Sequence, residues 1–412
     1  MTATLAGSQA ALKTLYPDGE VPKSINEMYV LHKRLKKDTD FVGELAYVPL
    51  QNANPQGSSA DLPTAQTNIF QGNYVRSSLT RVSHYGVARI TGEAAEAAVK
   101  SEGAMVDLWD NETRGIATTE MSVIATYLYG SGDATLGTMG GSGSPTATTI
   151  TLAAGTNMNY FELNMTVKAV SAVGLNPTIR AGTNRITGID RRARTLTSAA
   201  NWDTALTSFV NTDYLVRAGD QSGVSASTVI TGLDGYIVGG ASPGTLFGLN
   251  RNTDPVRFAG QSVDYQGWAP EDAVVDASCQ AGFQGIGYPN VLVCNNIEAA
   301  TLKKSLSNKI VFNRPGGESA KYSFSDVSIE GENGPIEILA DPFCPRNKAW
   351  LLKLDAFSLF SLKAAPHLAK YDGMEFMRRP DADAYEVRFA FYGNLKCKNP
   401  GPHVRLTNFC VA

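Results

Sequence analysis

The chain has 412 residues, 43% hydrophobic and 18% charged, enough apolar content to bury a core divided into about two to four subdomains; this excludes a disordered chain. A formal charge of −3 excludes condensing nucleic acid over a broad basic surface, so any contact with DNA is expected to be weak and local. Residues 1–16 lack the basic and apolar halves of a signal peptide, and no apolar run reaches about 18 residues, so neither export by that route nor a membrane-spanning helix is expected.

Residues 1–40 read as an arm, broken by Pro17, Gly19 and Pro22 and ending in the basic cluster His32, Lys33, Arg34, Lys36 and Lys37. Lys33, Arg34, Lys36 and Lys37 are candidates to face nucleic acid; the competing reading is a solvated helix face. From residue 41 to 90 a strand-like run, the polar tip 51–61 and a Val, Tyr, Ser and Thr-rich return describe an extended two-stranded loop. Such a ribbon has no core of its own, so a partner surface is expected, most simply another copy of the chain.

Residues 91–129 pattern as one amphipathic helix, with Ala95, Ala98, Val99, Met105, Val106, Trp109, Ile116, Val123, Ile124 and Tyr127 on its apolar face. Thr91 serves as N-cap and Gly130 as stop, giving a helix roughly 55–60 Å long, a strut rather than an element of a compact domain. Glu102 and Glu120 fall on the apolar face, where a buried carboxylate must be paired; Arg76, Arg81 or Arg89, from the same or a neighbouring chain, are candidate partners, and local exposure of the face is the alternative. With Trp109, these five are the candidate inter-subunit contacts.

Residues 131–145 are glycine-rich and read as a connector that completes the helical segment 91–145. Short alternating runs through 146–220 read as an inserted β-subdomain, whose Arg185, Arg191, Arg192 and Arg194 either grip phosphate or decorate a surface. The remainder, 221–412, is α+β, with helices expected over 271–283 and 297–307 and strands over 291–294, 336–339, 349–354 and 385–392. The five cysteines, odd in number and widely spaced, read as reduced packing residues of a cytosolic protein.

The chemistry an enzyme needs is hard to place. No Gly-Lys pair occurs, which excludes a P-loop, and the four histidines are scattered with no Cys-x-x-Cys beside them. Neither a cofactor nor a metal is expected. Gly240-Ala241-Ser242-Pro243-Gly244 matches the nucleophile-elbow spacing, but the residue after the serine must donate its amide to the oxyanion and Pro243 has none. Dispersed carboxylates such as Asp341 or Asp355 with Glu337 leave a hydrolase as a second reading.

Taken in order, Tyr16-Pro17, Lys37-Asp38-Thr39-Asp40-Phe41-Val42-Gly43, Val48-Pro49-Leu50, Ser83-His84-Tyr85-Gly86, Thr91-Gly92-Glu93-Ala94, Asp341-Pro342-Phe343-Cys344-Pro345 and Asn399-Pro400-Gly401 resemble the major capsid proteins of tailed double-stranded-DNA phages, with the Hong Kong 97-type shell fold. The resemblance implies an N-terminal arm, an extended β-loop, a long spine helix, an axial α+β domain and, here, an inserted small β-subdomain on the outer surface. It implies hexamers and pentamers closing an icosahedral shell around phage DNA, assembled in the host cytoplasm, with separate scaffolding, portal and decoration proteins as partners and no enzymatic activity. No lysine lies between Lys37 and Lys100, so a shell without the family's lysine-to-asparagine crosslink is expected. A cargo-holding shell of the encapsulin kind is the nearest alternative in the same fold.

Overall fold

The computed structural model describes residues 28–93, 108–140, 145–174, 177–223, 228–306, 328–370 and 373–411, and, within these, not the side chains of 108–111 and 328. They form two compact units, a larger one of Met28–Ser83, Val123–Ala364 and Tyr392–Ala412 and a smaller one of His84–Ser122 and Ala365–Phe391.

The larger unit is built on a six-stranded mixed sheet in the order Gln261–Asp264, Val404–Thr407, Lys348–Leu352, Val291–Cys294, Gly334–Ala340, Ser328–Gly331. Val291–Cys294 is buried at all four positions, as a strand covered on both faces requires. Helix Pro270–Phe283 begins on its proline and carries Glu271 and Asp272 in the first turn, where the missing amide costs nothing and the acids complement the dipole. Its Ala273, Val274, Ala277 and Ala281 recur at helical spacing and join Leu292, Ile336, Leu351, Leu406 and Phe409 in one core, closed by Ala299 and Leu302 of helix Asn296–Leu306.

A second, antiparallel sheet of six strands runs in the order Thr135–Thr138, Tyr214–Arg217, Thr166–Val170, Asn184–Asp190, Thr195–Ser198, Thr149–Thr151. Ile150, Val167, Ile186, Leu196, Trp202 and Leu215 are completely buried beneath it. Its first strand lies in the stretch whose glycines suggest a connector. Gly137 is there for packing instead: a Cβ would come within 2.5 Å of the Thr156 side chain.

The segment Asp341-Pro342-Phe343-Cys344-Pro345 is a hub of this unit. Its carbonyls accept from Asn157 (Pro342 O at 2.7 Å, Cys344 O at 2.9 Å), Asn159 (Pro342 O at 3.0 Å), Tyr160 (Phe343 O at 2.9 Å) and Asn295 (Cys344 O at 2.8 Å). Asp341, 1% exposed, accepts from Leu31 N at 2.8 Å, Phe343 N at 2.8 Å and the Tyr129 hydroxyl at 2.9 Å. Burial raises its pKa and those three donors oppose the rise. Its carboxylate is a structural acceptor, which removes Asp341 as a candidate catalytic acid.

In the smaller unit, the first half of strand Ala384–Cys397 pairs with His367–Leu368 and Met377–Arg378, and strand Val82–Thr91 joins the same strand. Helix Leu108–Tyr127 contributes to this unit as far as Ser122. Its 20 described residues span about 30 Å. Of the expected 91–129 helix, Thr91 closes a strand and residues 92–93 are helical, while 94–107 lie outside the described residues. The helix stops two residues before the expected Tyr129, where Tyr129 N bonds Thr126 O at 3.3 Å and Gly130 N bonds Tyr127 O at 3.1 Å in the tightened turn common at helix ends. Val123 to Tyr129 are buried at every position, so the two-faced pattern ends before the helix does.

Candidate functional site

Strands Leu45–Ala53 and Asn73–Thr80 form an antiparallel ribbon in which Ala46 faces Leu79, Val48 faces Ser77 and Leu50 faces Val75. Because strand side chains alternate, these six share one face. That face is supported by the chain itself: Val48 and Leu79 are buried with Phe41 and Phe360, and Phe247 packs on the cluster. The expectation of a ribbon wholly without a core is therefore corrected at its base. The opposite face carries Tyr47, Tyr74 and Arg76, the guanidinium lying 4.6 Å above the Tyr47 ring centroid.

The far end is different. Asp61 caps the short helix Leu62–Thr67, accepting from Thr64 N at 3.1 Å, and beyond it the chain leaves large apolar groups in solvent: Leu62 is 70% exposed, Ile69 68%, Phe70 71% and Tyr74 69%. Burying such a side chain is worth about 1.5–3 kcal/mol. Four large apolar side chains left exposed near one end of a two-stranded ribbon are the kind of surface that interaction sites present.

Glu120 is 2% exposed, so the paired reading holds over the exposed one. Its partner within the chain is His84, Nδ1 to Oε2 at 2.8 Å, and none of the three arginines. Arg76 lies over Tyr47, Arg81 donates to Gly43 O at 3.0 Å, and Arg89 donates to Glu386 at 2.9 Å. Arg89 and Arg388 together hold Glu386 below the usual carboxylate range, Arg388 more strongly. The sequence signal for this contact is Gly86, a glycine inside a strand pattern two residues beyond His84; a Cβ there would lie 2.6 Å from Glu120 Oε1. Glu102 and the side chain of Trp109 lie outside the described residues.

The basic cluster is split. His32 is buried, while Lys33, Arg34, Lys36 and Lys37 are exposed, Arg34 pairing with Glu337 and Lys37 donating to His32 O at 3.0 Å. In the second sheet Arg185 donates to Asn164, and Arg191 binds Met158 O at 2.6 Å and Glu162 at 3.1 Å; two of that group's four are thus used in holding turns together. Gly240–Gly244 leads into the hairpin Thr245–Leu246 with Leu249–Asn250, a context that lacks the strand-to-helix turn of a nucleophile elbow. A cleft of about 570 Å³ is lined by Tyr129, Tyr160, Asp234, Arg346 and Lys348 among others. Lys348 is paired with Asp234 at 2.6 Å and Arg346 with Glu298 at 2.7 Å, so its cations already have structural partners.

The cysteines are free thiols, with Cys294, Cys344 and Cys397 buried and Cys279 exposed. Burial raises the thiol pKa of all three buried ones, and pushes that of half-buried Cys410 up to about 12. Among the described residues no group of three or more His, Cys, Asp or Glu side chains could hold a metal, and no helix is long and apolar enough to cross a membrane.

No protein-family model and no curated protein matches the chain. Solved structures do. A chain of the cyanophage A-1(L) capsid asymmetric unit superposes with a TM-score of 0.56 at 12% identity, covering 99% of both chains. A chain of the capsid of an empty GTA particle does so with a TM-score of 0.52 at 9% identity, again over 99% of both. A chain from Mycobacterium phage Ogopogo gives 0.50 at 10% identity with the same coverage. Likeness over the full length of each chain, at identities too low for sequence matching, establishes architecture: the chain has the Hong Kong 97-type α+β shell fold of phage capsid subunits.

Proposed function

We propose that the chain is the structural subunit of an icosahedral phage shell, assembling as hexamers and pentamers around double-stranded DNA. The observation that carries the reading is the far end of the ribbon, where Leu62, Ile69, Phe70 and Tyr74 stand exposed on an element too thin to cover them. A second copy of the chain is the partner that satisfies every subunit equally, and closed symmetry leaves no ribbon unfilled. The fold shared with the cyanophage capsid chain supports the same conclusion.

Contact with the packaged DNA is weak and sequence-independent, carried by exposed Lys33, Arg34, Lys36 and Lys37, of which Arg34 is already paired with Glu337; few phosphates are neutralised, so the salt dependence is shallow. Scaffolding, portal and decoration proteins are the remaining partners, virions the site of action and the host cytoplasm the site of assembly. Expression of the chain with its neighbouring phage genes, followed by electron microscopy and nuclease digestion, tests the reading. Closed particles protecting nucleic acid support it; particles that enclose protein cargo and protect no nucleic acid would favour a cargo shell; soluble monomers would overturn both.

A further inference from the structure

The ribbon is held by a bracket. The segment from Pro243 to Ala259 grips it at two levels, once on each strand. At the first, the Ser78 amide donates to Phe247 O at 2.7 Å; Ser78 faces Tyr47 on the other strand. At the second, Arg257 Nη1 donates to Asn52 O at 2.6 Å. Between Tyr47 and Asn52 the strand advances five residues, about 17 Å at the rise of an antiparallel strand. Two attachments that far apart remove the swing that a single point would leave free.

The bracket is itself stiff. Phe247 and Gly248 form the two-residue turn of the hairpin Thr245–Leu246 with Leu249–Asn250, with φ of 48° and 74°. A phenylalanine in that region is strained, and the conformation persists only where the surroundings fix it. Here its carbonyl is taken by Ser78, and its ring packs on the cluster of Phe41, Val48, Leu79 and Phe360, 6.1 Å from the Tyr236 ring. Behind the hairpin, Arg251 is 5% exposed and donates to Gly235 O at 2.8 Å and Pro243 O at 2.6 Å. Asp254 then caps helix Pro255–Ala259, accepting from Arg257 N at 3.2 Å and pairing with the Arg257 guanidinium at 3.3 Å, which aims that side chain at the ribbon.

We infer that Phe247 and Arg257 are positioning residues that set the angle at which the ribbon leaves the subunit, and so the curvature of the assembled shell. The inference rests on the shell reading. Arg257 is exposed, so Arg257→Ala removes one grip without threatening the fold, and Arg257→Lys keeps a donor. The Ser78 amide bonds Phe247 and so reports on the bracket directly.

The test compares wild type, Arg257→Ala, Arg257→Lys and Phe247→Gly by amide hydrogen exchange on unassembled chain and by particle diameter after assembly. Phe247→Gly keeps the acceptor carbonyl but removes the ring that seats the turn on Phe41, Val48, Leu79 and Phe360, and the loosened hairpin is expected to speed Ser78 exchange by about tenfold. It and Arg257→Ala are expected to broaden the diameter distribution or yield open sheets, with Arg257→Lys restoring the wild-type distribution. Wild-type diameters from Phe247→Gly and Arg257→Ala would overturn the inference while leaving the shell reading intact, as would unchanged Ser78 exchange. Failure of the wild type to assemble would remove the shell reading itself.

Discussion

Tyr129, two residues past the long helix, donates its hydroxyl to Asp341 Oδ2 at 2.9 Å, and the same oxygen takes the Leu31 amide at 2.8 Å. Three segments distant in sequence thus meet on one buried carboxylate. Asp341→Ala leaves three donors unsatisfied and is expected to cost about 3–5 kcal/mol, against about 1–2 kcal/mol for Tyr129→Phe, which deletes one. Chemical denaturation of the two variants checks the order.

Glu120 and His84 give a second test. His84→Ala leaves a carboxylate at 2% exposure without its imidazole partner and is expected to destabilise by about 3 kcal/mol, more than Glu120→Gln, which removes the charge and keeps a hydrogen-bonding group beside His84. Gly86→Ala pushes a methyl to within 2.6 Å of Glu120 Oε1, and a cost of about 1–3 kcal/mol is expected. Thermal melting orders the three.

His403 makes stability depend on pH. It is completely buried, Nδ1 accepting from Lys353 N at 3.2 Å, and burial depresses its pKa from 6.5 to about 3, with nearby Lys353 adding to the shift. Between those values the unfolded chain binds a proton that the folded chain refuses. The contribution of this site is complete above about pH 6.5 and is lost as the pH falls toward 3, at about 1.4 kcal/mol per unit. His403→Gln is expected to flatten the unfolding free energy between pH 6 and 4; an identical slope would exclude His403 as its source.

Phe70→Asp acts on the ribbon's far end. At 71% exposure the substitution is expected to change subunit stability by no more than about 0.5 kcal/mol while abolishing closed particles. A melting temperature lowered along with assembly would place Phe70 in the subunit's own core.

The architecture was legible in the sequence wherever pattern follows from local geometry. Val291–Cys294, the helix starting at Pro270 and the alternating strands after Thr146 announce themselves because period and capping are local properties. What was hidden depended on pairs far apart in the chain. His84 and Glu120 are 36 residues apart, and a charge rule that seeks arginines overlooks a histidine. The bracket is hidden for the same reason: the pattern visible between Gly240 and Gly244 is a false catalytic spacing, and Arg257 reaches Asn52 across 205 positions. The glycines of 131–145 read as freedom, yet Gly137 is a packing residue in a strand.

The central claim is that the ribbon's exposed end is filled by another copy of the same chain. Cryo-electron microscopy of the purified, assembled protein tests it most directly. The account predicts closed icosahedral particles with Leu62, Ile69 and Phe70 of each ribbon buried on a neighbouring subunit; a monodisperse monomer, or closed particles in which those side chains remain in solvent, would contradict it.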